Sequence, residues 1–314
     1  MNDQISNFFD KGPIFITGHV NPDGDALGAS FCLKILLQKE NIEADINFDI
    51  ANTLPSNLDH LPYELITKKI QTSYETVFVF DCGNPGRLGK YADIVLKANN
   101  IIVIDHHISP TFGSLQIVDS NAASTTQVLY RQLVKEKYEI DKDMADCLLT
   151  GLITDTGRFQ YPNTTMEVFN IASDLLNKGA DISSISENIY GSIEINALKL
   201  QSEIINRIIF DEDIKFTYST IYQEDYKKYN IDAEETDFLI DVVRLVRGAD
   251  IALLLKEQVD GTFKGSLRSR NNFNVQELSS IFDGGGHKAA SGFSSSSSEV
   301  DIIKIIKNEI RTKL

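Results

Sequence analysis

Through the first half of the chain, short runs of β-branched and aromatic residues alternate with longer stretches whose apolar positions recur every three or four residues. The runs Ile14–Gly18, Asp45–Phe48, Thr76–Phe80 and Ile101–Ile104 predict strands, and their near-continuous apolar character suits strands covered on both faces. The first feeds a predicted helix from Asp25 to Asn41, with Leu27, Phe31, Ile35 and Leu36 at helical spacing. Further helices are predicted over Ser124–Lys137 and Lys142–Ile153, then from about Asn163 to Lys178 and over Asp181–Tyr190. Covered strands separated by helices predict an α/β architecture, a parallel sheet flanked by helical crossovers.

A long helical stretch, Ile193–Ile209, then leads into a different texture. Strand Lys215–Ile221, helix Glu234–Val246, strands Asp250–Gln258 and Thr262–Ser269, and a closing helix Val300–Lys313 predict a smaller α+β domain. The expected division is residues 1–190 for the α/β domain, 191–212 for a helical linker and 213–314 for the second domain. The serines at 294–298 read as a low-complexity turn, and no internal repeat is visible.

Length and composition narrow the possibilities. With 314 residues and 42% hydrophobic side chains, the chain can fill two cores. Forty-five acidic residues against 30 basic ones give a net charge of −15. Affinity for long nucleic acid comes mainly from Lys and Arg neutralising phosphates, so this balance points to a small anionic substrate bound through local charges. Cys32, Cys82 and Cys147 are odd in number and widely spaced, as expected of reduced thiols in an intracellular protein. The N-terminal MNDQISNFFDKG lacks the basic-then-apolar pattern of a secretion signal. No apolar run approaches the roughly 18 residues of a membrane span. A cytoplasmic protein with no membrane partner is expected.

The chemistry lies in where the acidic residues and histidines fall. His19-Val-Asn-Pro-Asp23-Gly-Asp25 sets three metal-ligand types directly after the first strand. Asp81 ends the strand in VFVFDCGNPGRLG, Asp105-His106-His107 ends IIVIDHH, and Asp155 follows the helical DCLLTGLI. Parallel sheets place their sites at the carboxyl ends of strands. Any one of these aspartates could be a turn former or helix cap. Yet three of the five histidines stand at strand ends beside aspartates, and only His60 looks incidental. Mixed oxygen and nitrogen donors suit Mn²⁺ or a similar ion. Two such ions, about 3.5–4 Å apart, activate a water and neutralise a phosphoryl oxygen. A second constellation joins Gly265-Ser-Leu-Arg268-Ser-Arg270 to Asp283-Gly-Gly-Gly-His287-Lys288. Consecutive glycines permit close backbone approach and an anion-binding nest of amides. On a strand, Arg268 and Arg270 share one face and Ser269 takes the other. If that face lines a cleft, both arginines reach a phosphate or a base; otherwise they are solvated surface charges.

Together, His19-x-x-x-Asp23-x-Asp25, Asp81, Asp105-His106-His107 and Asp155 resemble the four motifs of the DHH phosphoesterase family. SLRSR and GGGHKAASGF are similar to the family's type-one associated domain, so the resemblance runs from about residue 14 to 293. Asp283 stands where relatives often carry a fourth glycine. The resemblance implies two divalent ions, with Mn²⁺ the family's usual choice and Mg²⁺ or Co²⁺ the alternatives. His19, Asp23 and Asp81 would hold one, Asp25, Asp81, His106 and Asp155 the other, with Asp81 shared. Asp105 would orient the neighbouring histidines, and His107 would face the scissile phosphate. Arg268, His287 and the amides of Gly284, Gly285 and Gly286 would hold the substrate's terminal phosphate. The second domain would then close on the metals across a cleft and measure the substrate from its end.

Among relatives, exonucleases of the RecJ type carry further domains for long DNA, and manganese pyrophosphatases lack the GGGH motif. The resemblance is best to the small oligoribonuclease and pAp-phosphatase subgroup, the nanoRNases. Those convert RNAs of two to five nucleotides to mononucleotides, and pAp to AMP and phosphate. Stand-alone phosphodiesterases acting on pApA or cyclic di-AMP share the layout, and the motifs do not separate the two groups. A non-catalytic nucleotide sensor on the same fold is the alternative from another class. Long DNA is not an expected partner, and the apolar positions in Ile193–Ile209 suit either a homodimer contact or the domain junction.

Overall fold

The computed structural model describes residues 4–51, 53–107, 112–191, 193–270 and 273–313. Two compact units divide the chain, Met1–Ser192 and Ile193–Leu314.

The first unit runs β1 (Ile14–Gly18), α1 (Gly24–Lys39), β2 (Ala44–Ile46), β3 (Thr76–Phe80), α2 (Ala92–Leu96), β4 (Asn100–Asp105) and β5 (Leu115–Val118). It continues through α3 (Thr125–Lys135), α4 (Lys142–Asp155), α5 (Met166–Asn177) and α6 (Ile182–Ser186). The strands form one parallel sheet in the order β2-β1-β3-β4-β5. Side chains alternate across it as a strand requires. Ile14, Ile16, Phe78, Phe80, Ile102 and Ile104 enter the larger core under α1, α3 and α4, while Phe15, Val77, Val79 and Val103 meet Leu88, Tyr91 and Val95 on the other face. The expected α/β class is thus borne out. Strand β5 escapes the sequence pattern because it is short and half-buried.

Helix α1 is buried almost all round, the state of a helix enclosed between a sheet and a second helix layer. Its partner α4 comes so close that a Cβ at Gly28 would sit 2.3 Å from the Cys147 carbonyl oxygen, and one at Gly151 would sit 2.6 Å from Asp25 Oδ1. Only glycine tolerates such an approach. The two helices therefore carry Asp25 and Asp155 to the same end of the sheet.

The second unit runs α7 (Ile195–Asn206), β6 (Ile209–Asp211), β7 (Phe216–Ile221), α8 (Gln223–Tyr229), α9 (Leu239–Val243), β8 (Ile251–Glu257) and β9 (Phe263–Ser269). It ends with α10 (Val275–Ser280), β10 (Gly285–Gly286), β11 (Ala290–Ser295) and α11 (Glu299–Lys313). Its six strands lie in the order β10-β11-β9-β8-β7-β6, with β7 and β8 parallel and the other neighbours antiparallel. One face packs against α10 and α11 through Leu253, Leu267, Ile302 and Ile306; the other packs against α7, α8 and α9 through Leu200, Ile204, Leu239 and Leu254. The helical segment expected as a linker, α7, contributes Ala197, Leu200 and Ile204 to this core, while Ile195, Leu198 and Ile205 on its other side are exposed. The helix predicted over Glu234–Val246 is two pieces, a 3₁₀ turn at Ala233–Thr236 and α9. The Thr236 hydroxyl donates to the Ala233 carbonyl oxygen at 2.5 Å, the kind of local bond that competes with helical continuation. The serine run is not all turn: Ser294 and Ser295 complete β11, opposite Lys264 and Phe263. Among the described residues no helix is long and apolar enough to cross a membrane, and all three cysteines are unpaired and buried.

Candidate metal centre

Strands β1, β3 and β4 each end in a side chain capable of holding metal. His19, after β1, is buried, and its Nδ1 lies 2.8 Å from the Val20 carbonyl oxygen. A carbonyl only accepts, so Nδ1 carries the proton and Nε2 is left facing Asp81 Oδ2 at 3.4 Å and Asp23 Oδ2 at 3.7 Å. Asp23 caps α1, its Oδ1 accepting from the Asp25 and Ala26 amides at 3.0 and 3.1 Å. Asp81 follows β3 with φ of 54°, a left-handed conformation that aspartate takes more readily than most non-glycine residues. That turn aims its carboxylate among three imidazoles: Oδ1 lies 3.6 Å from His106 Nε2 and 3.3 Å from His107 Nδ1, while Oδ2 faces His19. Asp105, fully buried at the end of β4, accepts on Oδ1 from the His106 and His107 amides (2.7 and 3.0 Å) and pairs with His107 Nδ1 at 2.8 Å. Asp155, the last residue of α4, lies 3.2 Å from His106 Nε2.

Donor atoms fall into three groups whose members lie within 4.8 Å of one another: His19, Asp23 and Asp81; Asp81, His106 and His107; and Asp25, His106 and Asp155. Asp81 and His106 each belong to two of them. All eight candidates of the first unit (His19, Asp23, Asp25, Asp81, Asp105, His106, His107 and Asp155) are therefore brought to the carboxyl end of one sheet.

The electrostatics are those of a site short of positive charge. Burial pushes Asp25 well up, reinforced by the charges of Asp155 and Asp81. Burial likewise lifts Asp155 to about 7, against the His106 hydrogen bond, with Asp23 and Asp81 adding to the rise. Burial alone would raise Asp81 too, but hydrogen bonds from His107 and His19 outweigh it and hold this carboxylate low. The imidazoles respond in kind. His19 rises to about 10 against its burial through Asp23 and Asp81, and His107 rises to about 10 mainly through Asp105. His106 reaches about 9 against burial through Asp155 and the Asp25 charge. Clustered carboxylates that gather protons in the absence of other cations, interleaved with imidazole nitrogens, fit divalent metal ions of the Mn²⁺ or Mg²⁺ kind.

Thr125 was not legible as a site residue. Helix α3 begins under Asp25 and grips it: the Thr125 and Thr126 amides donate to Oδ2 and Oδ1 at 2.5 and 2.9 Å. The Thr125 hydroxyl donates to Asp81 Oδ1 at 3.0 Å. The only signal in the sequence was the Ser124-Thr-Thr helix start, which reads equally well as an ordinary cap, and Ser124 does accept from the Gln127 amide.

The second constellation lies within the second unit. Arg268 on β9 pairs with Ala252 on one side and Ala290 on the other, and with Arg244, Asp250 and Arg270 it lines a small recess. The His287 amide donates to the Ala290 carbonyl oxygen at 2.7 Å, so His287 sits across β11 from Arg268. A Cβ at Gly284 would meet the Gly292 carbonyl oxygen at 2.3 Å, and Gly286 has φ of 135°, whereas a Cβ at Gly285 would meet nothing within 4 Å. Packing thus requires the outer glycines and leaves the middle one open.

Comparison with known proteins follows the same division. Residues 13–152 match the DHH family, N-terminal domain, and residues 213–312 match the DHHA1 domain. The chain is 30% identical over 288 residues to the bifunctional oligoribonuclease and PAP phosphatase NrnA of Thermus thermophilus, spanning 90% of this chain and 84% of that one. It is 28% identical to the probable bifunctional oligoribonuclease and PAP phosphatase NrnA of Streptococcus mutans, spanning 95% of each. Among solved structures, an exopolyphosphatase-related protein from Bacteroides fragilis superposes with a TM-score of 0.88 at 25% identity, covering 98% of this chain and 94% of the other.

Proposed function

The chain belongs to the DHH family, and we propose that it is a metal-dependent phosphoesterase that hydrolyses RNAs of a few nucleotides to mononucleotides and converts pAp to AMP and phosphate. The observation that carries this reading is the sharing of Asp81 between donor groups at the ends of adjacent parallel strands. Relatives along nearly the whole chain are named for both activities. His19, Asp23, Asp25, Asp81, His106 and Asp155 would hold two divalent ions, Mn²⁺ by preference. When bound, such ions activate a water and neutralise charge on phosphoryl oxygens.

The chain's own residues complete the chemistry. His107, its Nδ1 held at 2.8 Å by Asp105, would donate to the phosphoryl or leaving oxygen as negative charge develops there. Asp105, fully buried and bound to the imidazole and to two backbone amides, fixes the direction of that donation. Asp23 uses one oxygen to cap α1 and keeps the other toward His19. In the second unit, Arg268, His287 and the amides of Gly284, Gly285 and Gly286 take the anionic end of the substrate, a guanidinium fork being suited to phosphate. Three buried thiols outside any disulfide fit a cytoplasmic, reducing setting.

The test is product analysis with Mn²⁺ on pAp, pApA, a five-nucleotide RNA and cyclic di-AMP in parallel, with Asp81→Ala as control. Mononucleotides from the RNA and phosphate from pAp, both lost in the control, are the expected result. Strong preference for pApA or cyclic di-AMP would move the enzyme to second-messenger turnover. Binding without turnover of any of the four would replace the enzyme reading by that of a nucleotide sensor.

A further inference from the structure

Beyond Asp155 the backbone does something costly. Gly157, Arg158 and Phe159 hold φ angles of 54°, 62° and 62°. Glycine takes that conformation freely, but an arginine and a phenylalanine do not, and three in a row make a left-handed turn that the surroundings must hold. The Arg158 amide donates to the Ile153 carbonyl oxygen (2.9 Å), the Phe159 amide to the Thr156 hydroxyl (3.1 Å), and the Gln160 and Tyr161 amides to the Thr156 carbonyl oxygen (3.0 and 2.9 Å). The Phe159 ring stacks on Phe169 at 5.5 Å. Tyr161 lies so close over Gly157 that a Cβ there would meet its ring at 2.3 Å.

What this turn delivers is Arg158, three residues from a proposed metal ligand, with its guanidinium carbon 3.8 Å from the centre of the Tyr190 ring. Arg131 and Arg207, by contrast, are clamped by carboxylates. Among the described residues Arg158 is in no ion pair; it is exposed and rests on an aromatic face. A guanidinium held over a ring leaves its far side outward, and unstacked nucleobases settle on aromatic rings and on arginine planes alike. Phosphate, by contrast, is gripped by the edge of the fork.

We propose that Arg158, layered on Tyr190, is the stacking platform for a nucleobase of the substrate and so a specificity-determining residue. The inference rests on the phosphoesterase reading above and names the part of the substrate that this side of the centre recognises. A base-bearing nucleotide binds better than its abasic counterpart, and a purine, with the larger face, better than a pyrimidine.

Kinetics of the wild type, Arg158→Ala, Arg158→Lys and Tyr190→Leu on pApA, and on the same dinucleotide with each base removed in turn, test this with Mn²⁺ present. Both Arg158 variants should raise KM for pApA about tenfold, the size of one stacked base, while kcat stays near wild type. On one of the two abasic substrates the wild type should be weakened by a similar factor and the variants no further. Tyr190→Leu should show the same pattern, with its fold checked by circular dichroism. A wild-type KM for Arg158→Ala, or for Arg158→Lys, overturns the proposal. So does a loss of equal size on both abasic substrates, which would mark a phosphate contact. If the wild type turns over neither pApA nor pAp, the functional reading itself has failed. Calorimetry of AMP binding to the wild type and Arg158→Ala then decides the platform separately, about tenfold weaker binding supporting it and equal binding overturning it.

Discussion

Replacing Gly151 by alanine adds one methyl group to α4, far in sequence from the β1 loop, yet the geometry makes it an assault on the candidate metal centre. The new Cβ would stand 2.5 Å from Thr126 Cγ2, 2.6 Å from Asp25 Oδ1 and 2.7 Å from Thr126 Oγ1. Ordinary contact begins near 3.4 Å, so these atoms or the helix must yield by about 0.8 Å. Asp25 cannot swing aside cheaply, because it is fully buried and both its oxygens are held by the Thr125 and Thr126 amides. Overpacking of this kind costs about 1–3 kcal/mol, or about 2–4 °C of Tm for each kcal/mol in a unit of this size. The functional effect should be larger. A displacement near 1 Å at a reacting centre costs about 10²-fold in rate, so kcat/KM should fall by about that factor while the protein remains folded. Thermal unfolding by circular dichroism gives the first quantity, and calorimetric Mn²⁺ titration with pAp hydrolysis, well below the melting temperature, gives the second. A folded Gly151→Ala protein with wild-type Mn²⁺ affinity and wild-type kcat/KM would refute the placement of Asp25 in the centre.

Thr125→Val keeps the shape of the side chain and the amide that grips Asp25 but deletes the hydroxyl donated to Asp81. Activity should fall about tenfold, as when outer partners of metal ligands are removed, and unchanged steady-state kinetics would take Thr125 out of the machinery. Stripped of metal, the protein should lose stability as pH rises from about 6 to 10. With His19, His106 and His107 raised to about 10, 9 and 10 and Asp155 to about 7, the folded state retains protons that the unfolded chain releases at lower pH. This stabilisation is complete below the unfolded values and gone above the folded ones. Urea unfolding with a chelator at pH 6 and pH 9 measures it; stability that climbs over this interval would contradict the sign. Cys32 and Cys147, buried and with thiols pushed up by burial, should resist an aromatic disulfide reagent until the protein unfolds, and rapid native labelling at either would place it at the surface.

The clustering of the candidate metal ligands could be read from the chain because metal chemistry needs particular side chains and a parallel sheet gathers its strand ends. His19, Asp81 and Asp105 stand where β1, β3 and β4 stop, and each strand is a conspicuous apolar run. What stayed hidden depends on tertiary approach. Thr125 is an unremarkable hydroxyl until α3 is set beneath Asp25. The left-handed turn at Gly157–Phe159 follows from packing that no local pattern encodes. In the second unit, α8 and α10 span only seven and six residues, too short for helical periodicity to stand out. Strand β11 was masked by its serines, whose low β-propensity is overridden by pairing with β9 along six residues.

Those serines have a further consequence. Both sheets terminate in very short strands, β2 with three residues, β5 with four, β6 with three and β10 with two. An open edge is a template on which another chain can add itself, and brevity is one of the ways proteins blunt it. Among the described residues β10 pairs with β11 only at Ser291 and Gly292, so Phe293–Ser295 has no strand partner on that side, its Phe293 side chain buried and Ser294 exposed. Polar side chains there, followed by three more serines, deny an incoming strand the apolar surface that would hold it. The run that reads as filler thus gives that edge a polar character, next to the short Gly285–Gly286 strand.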